Sequence, residues 1–126
     1  MSGEIDGRVI EGRAEDGDKL FQLTLDIMVH RIRKYIGAYL LNLGGKLDAI
    51  VFTGGLGENW SSLRVQCMKD LERFGIEIDY EKNRKAIRQD RCNDVSTFLS
   101  QVRIFVIPTK EEKQIAKQTL RLINVD

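Results

Sequence analysis

Across residues 19–43 the apolar positions Phe21, Leu25, Met28, Val29, Ile32, Ile36, Tyr39, Leu40 and Leu43 recur at steps of three and four. That spacing predicts one amphipathic helix, with Asp16 and Asp18 available as caps at its start and Gly44-Gly45 as its stop. At full length the helix runs roughly 35–40 Å. This is more than a domain of this size needs, so part of it is expected to face another subunit or domain. A short apolar run, Ala49–Phe52, reads as a buried parallel strand, and glycines at 54, 55 and 57 follow it. A second helical pattern extends from about Ser61 to Arg73, with Leu63, Cys67, Met68 and Leu71 on one face and Gly75 closing it. Residues 76–79 suggest a short strand, 80–89 a short charged helix, and 95–101 a polar connector. The strongest strand signal is at 102–107, where Pro108 ends it. Thr109 followed three residues later by Glu112 forms a capping box that opens a last helix to about Ile123. Residues 1–18, polar and dotted with glycine, are expected to be an irregular lead-in.

Two strands joined through helical crossovers should be parallel, with a right-handed connection. Their C-terminal ends then share one sheet edge, where open α/β sheets bind ligands. The glycine turn and the turn after Pro108 should therefore open on the same side, bringing residues 55–59 and Glu111 together. Glycine suits such a turn because it tolerates φ > 0 and lets a ligand approach the backbone. The helix beyond would point unpaired N–H groups at the occupant. Gly55-x-Gly57 lacks the third glycine of a dinucleotide fingerprint and the Lys-Ser or Lys-Thr of a P-loop. A plain tight strand-to-helix connection and a ligand-binding turn both fit the pattern.

The 126 residues suffice for one domain with one core, and 42% hydrophobic with 31% charged residues is ordinary for a globular chain. With 20 basic against 19 acidic residues the net charge is +1, which argues against a nucleic-acid or membrane surface. No apolar stretch is long enough to span a bilayer, and the acidic N-terminus does not read as a secretory leader, so a cytoplasmic setting is expected. Cys67 and Cys92 lie far apart without C-x-x-C spacing. Cys67 is expected to pack as a small hydrophobe. His30, the lone histidine, sits beside the apolar face of the long helix and reads as a structural or interface residue.

Three stretches in order, Tyr35-Ile-Gly-Ala-Tyr39, the run from Asp48 through Thr53-Gly-Gly-Leu-Gly-Glu-Asn59, and Val106-Ile-Pro-Thr-Lys-Glu-Glu112, closely resemble the C-terminal part of the acetate kinase family, with propionate and butyrate kinases sharing much of the pattern. The resemblance covers nearly the whole chain. It implies an α/β, ribonuclease-H-like fold of the actin-like ATPase superfamily, represented by its C-terminal domain with parallel strands and flanking helices. It also implies transfer of the γ-phosphoryl of ATP to acetate or another short-chain carboxylate, giving an acyl phosphate and ADP, with Mg²⁺ as cofactor. By this resemblance Asp6, Gly7 and Arg8 match an Asp-x-Arg stretch lying against the nucleotide. Gly55, Leu56, Gly57, Glu58 and Asn59 match an adenosine-contacting loop, Asn59 being the side-chain contact, and Glu111 matches a carboxylate that helps hold Mg²⁺. Residues 1–18 are thus expected to be a lead-in carrying the first of these stretches, and 19–126 a nucleotide-binding domain whose N-terminal companion is absent. Glu111 and Glu112 are also what the helix dipole alone would favour in a first turn. Lys110 stands where the family more often has Asn, which puts a positive charge beside Glu111. Trp60 replaces a usually small residue and either stacks near the adenine or caps the loop, packing being the favoured reading. A homodimer is implied, with the long helix as a contributor. The family's phosphoryl-clamping arginines and carboxylate pocket have no counterpart in these residues, so the chain by itself is expected to be inactive.

Overall fold

The computed structural model describes residues 7–87 and 89–123, without the side chains of Arg8, Glu11 and Glu15. The described residues begin in a helix where an irregular lead-in was expected: α1 spans Gly7–Glu15. Its Ile10 and Ala14 are buried with Phe21, Leu25 and Val29 of α2, Lys19–Asn42. Glycines at 7 and 12 obscured the α1 pattern, and its two buried apolar positions have nothing to pack on until α2 folds back over them. Asp18 caps α2 by accepting hydrogen bonds from the N–H groups of Leu20 (3.0 Å) and Phe21 (3.4 Å). Its second oxygen takes Arg13 Nη2 at 3.1 Å, and the Arg13 guanidinium lies 4.2 Å over the Phe21 ring. Gly44 and Gly45, both at positive φ, end α2 with N–H bonds back to Leu41 and Leu40 carbonyls. Only the first half of α2 is buried; Tyr35, Tyr39 and Leu41 are 56%, 63% and 81% exposed, and His30 is exposed too.

The three-stranded sheet has the order β1-β3-β2, with β1 at Ala49–Phe52, β2 at Asn93–Asp94 and β3 at Arg103–Val106. β1 and β3 pair in parallel, in register from Ala49↔Arg103 to Phe52↔Val106. The parallel expectation therefore holds. Two details differ. β1 is an edge strand with Val51 half exposed, rather than a buried one, and β2, polar in sequence, pairs antiparallel to β3. Residues 76–79 make only single bridges, from Ile76 to Val102 and Ile78 to Ser96. Their backbone groups go instead to the 95–102 loop: Glu77 N–H to Ser100 Oγ, Thr97 N–H to the Glu77 carbonyl, Asp79 N–H to the Val95 carbonyl. Ile76 and Ile78 nevertheless fill the core.

After β1 come α3, Gly54–Asn59, and α4, Ser61–Met68. α4 stops short of the expected Arg73 because Arg33 Nη1 of α2 donates to the carbonyls of Gln66 (3.2 Å), Cys67 (3.2 Å) and Lys69, closing its C-terminal end. A 3₁₀ turn at Glu72–Phe74 follows, and Gly75 at φ 72 ends it. α5 covers Tyr80–Lys85, capped by Asp79, and α6 covers Glu111–Ile123. No residue described in α6 is buried. The core lies between the sheet and α1, α2 and α4, with Trp60, Leu63, Cys67, Met68, Ile104 and Val106 at its centre. Burial pushes the Cys67 thiol up to about 11, the Arg33 charge opposing that rise.

Candidate functional site

The two crossovers leave the same edge of the parallel pair. The last ladder bond runs from Ile107 N–H to the Phe52 carbonyl at 2.9 Å, and both chains reverse just beyond it. The glycine run does not form an open loop; it is itself helical, as α3. Thr53, extended at φ −150, leads to Gly54 at φ +70, which is where the turn needs glycine. Gly57 serves a different purpose. A Cβ there would lie 3.1 Å from the Phe52 carbonyl carbon, so glycine allows α3 to sit directly on the end of β1.

Glu58 joins the two reversals. Its Oε1 accepts from Gly54 N–H (2.9 Å), Thr109 N–H (3.0 Å) and Thr109 Oγ1 (3.3 Å). The capping box expected at Thr109 is shifted by one residue. Lys110, at φ +50, holds the cap position, its carbonyl accepting from Gln114 N–H, while the Thr109 hydroxyl turns to Glu58. An open depression of about 440 Å³ lies here, lined by Glu58, Asp90, Thr109, Lys110, Glu111, Glu112 and Lys113. The Lys110 ammonium, expected beside Glu111, pairs with Asp90 Oδ1 at 3.0 Å.

Of the residues singled out in the sequence, Glu58 and Glu111 thus meet in one depression, fifty-three positions apart. Asn59, next in sequence to Glu58, is exposed and is not among the lining residues; its Nδ2 donates to the Gly55 carbonyl at 2.9 Å. Leu56 is 44% exposed. Gly7 opens α1, whereas Asp6 and the Arg8 side chain lie outside the described residues. Trp60 packs, being 3% exposed, and its Nε1 is buried with no hydrogen-bond partner among the described residues.

Sequence reasoning passed over what braces α3 from beneath. Arg64 is fully buried. It donates through Nη1 to the Gly57 (2.7 Å) and Glu58 (3.1 Å) carbonyls, through Nε to Asn83 Oδ1 (2.6 Å) and through Nη2 to the Asn83 carbonyl (2.9 Å). Asn83 in turn donates from Nδ2 to the Ser61 carbonyl at 2.9 Å. The signal was present: Arg64 stands four after Trp60 and three before Cys67, on the buried stripe of α4.

As a place for a divalent cation, the depression offers hard oxygens from Glu111, Glu112 and Glu58. No group of three or more metal-ligating side chains is gathered among the described residues. That donor set suits Mg²⁺ taken through one or two carboxylates, with waters and substrate phosphates completing the shell.

Residues 1–117 match the model of the acetokinase family. The chain belongs to this family. It is 45% identical over 122 residues to the acetate kinase of Corynebacterium jeikeium, covering 97% of the chain and 30% of that protein. In structure it is similar to the Porphyromonas gingivalis acetate kinase, with a TM-score of 0.77 at 36% identity, over 94% of this chain and 29% of that one. The propionate kinase of Francisella tularensis matches with a TM-score of 0.74 at 36% identity, over 89% of this chain and 27% of that one. The chain spans about 30% of the length of the curated relatives it matches. Family membership brings the ribonuclease-H-like fold of the actin-like ATPases, to which the parallel pair and its flanking helices belong. No described helix is long and apolar enough to cross a membrane.

Proposed function

We propose that the complete protein is an acetate kinase, transferring the γ-phosphoryl of ATP to acetate to give acetyl phosphate and ADP. The reading is supported above all by the Glu58–Thr109 contact, which gathers both crossover turns at the carboxyl edge of the parallel pair, in a chain of this family. In this reading residues 55–59 lie against the adenosine, with Asn59 turning its amide from the Gly55 carbonyl to the base or ribose. Asp6, Gly7 and Arg8 flank the nucleotide. Glu111 is a ligand to Mg²⁺, which when bound neutralises phosphate charge during transfer. Arg64 and Glu58 keep α3 and the 109–113 turn fixed, so nucleotide binding costs little reordering of this edge. The reacting phosphoryl and carboxylate are handled elsewhere in the protein, and the segment alone is a binding module without turnover. The working form is a cytoplasmic homodimer, supported by the exposed Tyr35, Tyr39 and Leu41 along α2.

Hydroxylamine trapping tests the activity: the complete polypeptide, given acetate and MgATP, should yield acyl hydroxamate. Absence of product with acetate, propionate and butyrate alike sinks the reading. Asn59→Ala is expected to weaken nucleotide binding about tenfold, the size of one lost hydrogen bond to a bound polar group. An unchanged dissociation constant by calorimetry removes Asn59 from the site.

A further inference from the structure

Beyond Ile107 the chain leaves the sheet, and its next backbone attachment is the pair of hydrogen bonds from Thr109 to Glu58. Two residues later Glu111 begins α6, a helix with no buried residue described. A further link near this turn among the described residues is the ion pair from Lys110 to Asp90, whose side chains are 46% and 88% exposed. Exposed pairs of that kind hold geometry weakly. Glu58, by contrast, is half-buried and presents a carboxylate oxygen to three donors, two of them from Thr109. Charge-assisted hydrogen bonds are the stronger and more directional kind. Were Glu58 needed only to cap α3, its bond from Gly54 N–H would suffice and it would not reach across the sheet edge.

We propose that Glu58 is a positioning residue that couples the nucleoside subsite to the metal subsite, by fixing the 109–111 turn, and with it Glu111, against α3. The inference rests on the reading of Glu111 as the Mg²⁺ ligand. A cation held by Glu111 and the phosphates of a nucleotide held along α3 must meet at one separation. A tether that sets this separation in advance raises the affinity for the metal–nucleotide complex over that for the bare nucleotide. Glu58 does this through Thr109 without touching the cation itself.

The observable is therefore a ratio: the dissociation constant of ADP with a chelator present, divided by that of MgADP, by calorimetry on the complete polypeptide. Uniform loss of fold or of nucleoside contact moves both constants together and leaves the ratio alone. Glu58→Gln keeps the side chain's length while removing the charge, and it is expected to lower the ratio about 5- to 10-fold, within the usual range of site-to-site coupling. Glu111→Gln should lower it at least as far. Thr109→Val, which removes the hydroxyl arm and keeps the N–H, should fall between and serves as the second arm if Glu58→Gln folds poorly. An unchanged ratio in both Glu58→Gln and Thr109→Val, with Glu111→Gln lowering it, overturns the tether while keeping Glu111 as ligand. A ratio near one in the unsubstituted protein overturns the metal assignment, and the tether with it.

Discussion

Arg64 offers the sharpest quantitative check on how the site is held. Among the described residues its guanidinium donates to four oxygens, from Gly57, Glu58 and, twice, Asn83, in a position with no solvent exposure. Arg64→Met keeps most of the volume and removes every donor. Asn83 Oδ1 then stays buried without its donor, at about 1–3 kcal/mol, while the Asn83 carbonyl keeps Ala86 N–H at 3.3 Å and relief from burying a charge offsets part of the loss. The net destabilisation should be about 2 kcal/mol, a sizeable share of the roughly 5–15 kcal/mol that holds a domain of this kind together. With a urea slope of about 2 kcal/mol/M, the unfolding midpoint drops by about 1 M. Arg64→Lys keeps the charge but lacks the planar fork, so it should recover less than half of the loss. A double-mutant cycle with Asn83→Ala should give a coupling above about 1 kcal/mol. A midpoint within about 0.5 M of the unsubstituted protein for Arg64→Met, at unchanged slope, would refute the claim that this guanidinium braces α3.

Four further outcomes follow from the structure. Cys92 is exposed and Cys67 buried with its thiol at about 11, so a thiol reagent at pH 8 should label one cysteine rapidly and the second only on unfolding. Because unfolding returns the Cys67 thiol to about 9.0, its contribution to stability is complete below that pH and is lost as pH rises from there to about 11; a Cys67→Ala variant should lack this alkaline step in its denaturation profile. Lys110→Asn places a residue tolerant of left-handed backbone at φ +50 and should raise stability by about 0.5 kcal/mol, after roughly 0–0.5 kcal/mol is given up with the exposed Asp90 pair; calorimetric melting should show a rise of a few degrees, and a fall would contradict the strain argument. Gly57→Ala should lower the melting midpoint and weaken nucleotide binding together, since its methyl would press on the Phe52 backbone at 3.1 Å; a variant that melts normally would show that α3 can lift from β1 at little cost.

The parallel pairing of 49–52 with 103–106 was legible because each run is short, apolar and followed by a helical crossover, and these local facts constrain topology. The meeting of Glu58 with Thr109 followed from that topology, not from either residue. What was misread depended on tertiary partners. α1 shows little pattern until α2 lies over it. The C-terminal limit of α4 is set by Arg33, some thirty positions away, and the 76–79 segment forms no ladder because Ser100 and Thr97 engage its backbone. The glycine run reads as a turn leading into a later helix, yet Arg64 and Glu58 hold it as a helix itself. Arg64 was not legible as a brace because a charged side chain ordinarily faces water, although its spacing puts it on the buried stripe.

The register of the sheet also dictates when this edge can first exist during synthesis. Ala49 aligns with Arg103, so at ribosomal speeds of about 5–20 residues per second the glycine turn emerges several seconds before the strand that completes it. For that interval the Glu58 carboxylate has no Thr109 to hold and β1 shows both its edges to solvent. The nascent chain must be kept from neighbouring polysomes until Val106 is laid down.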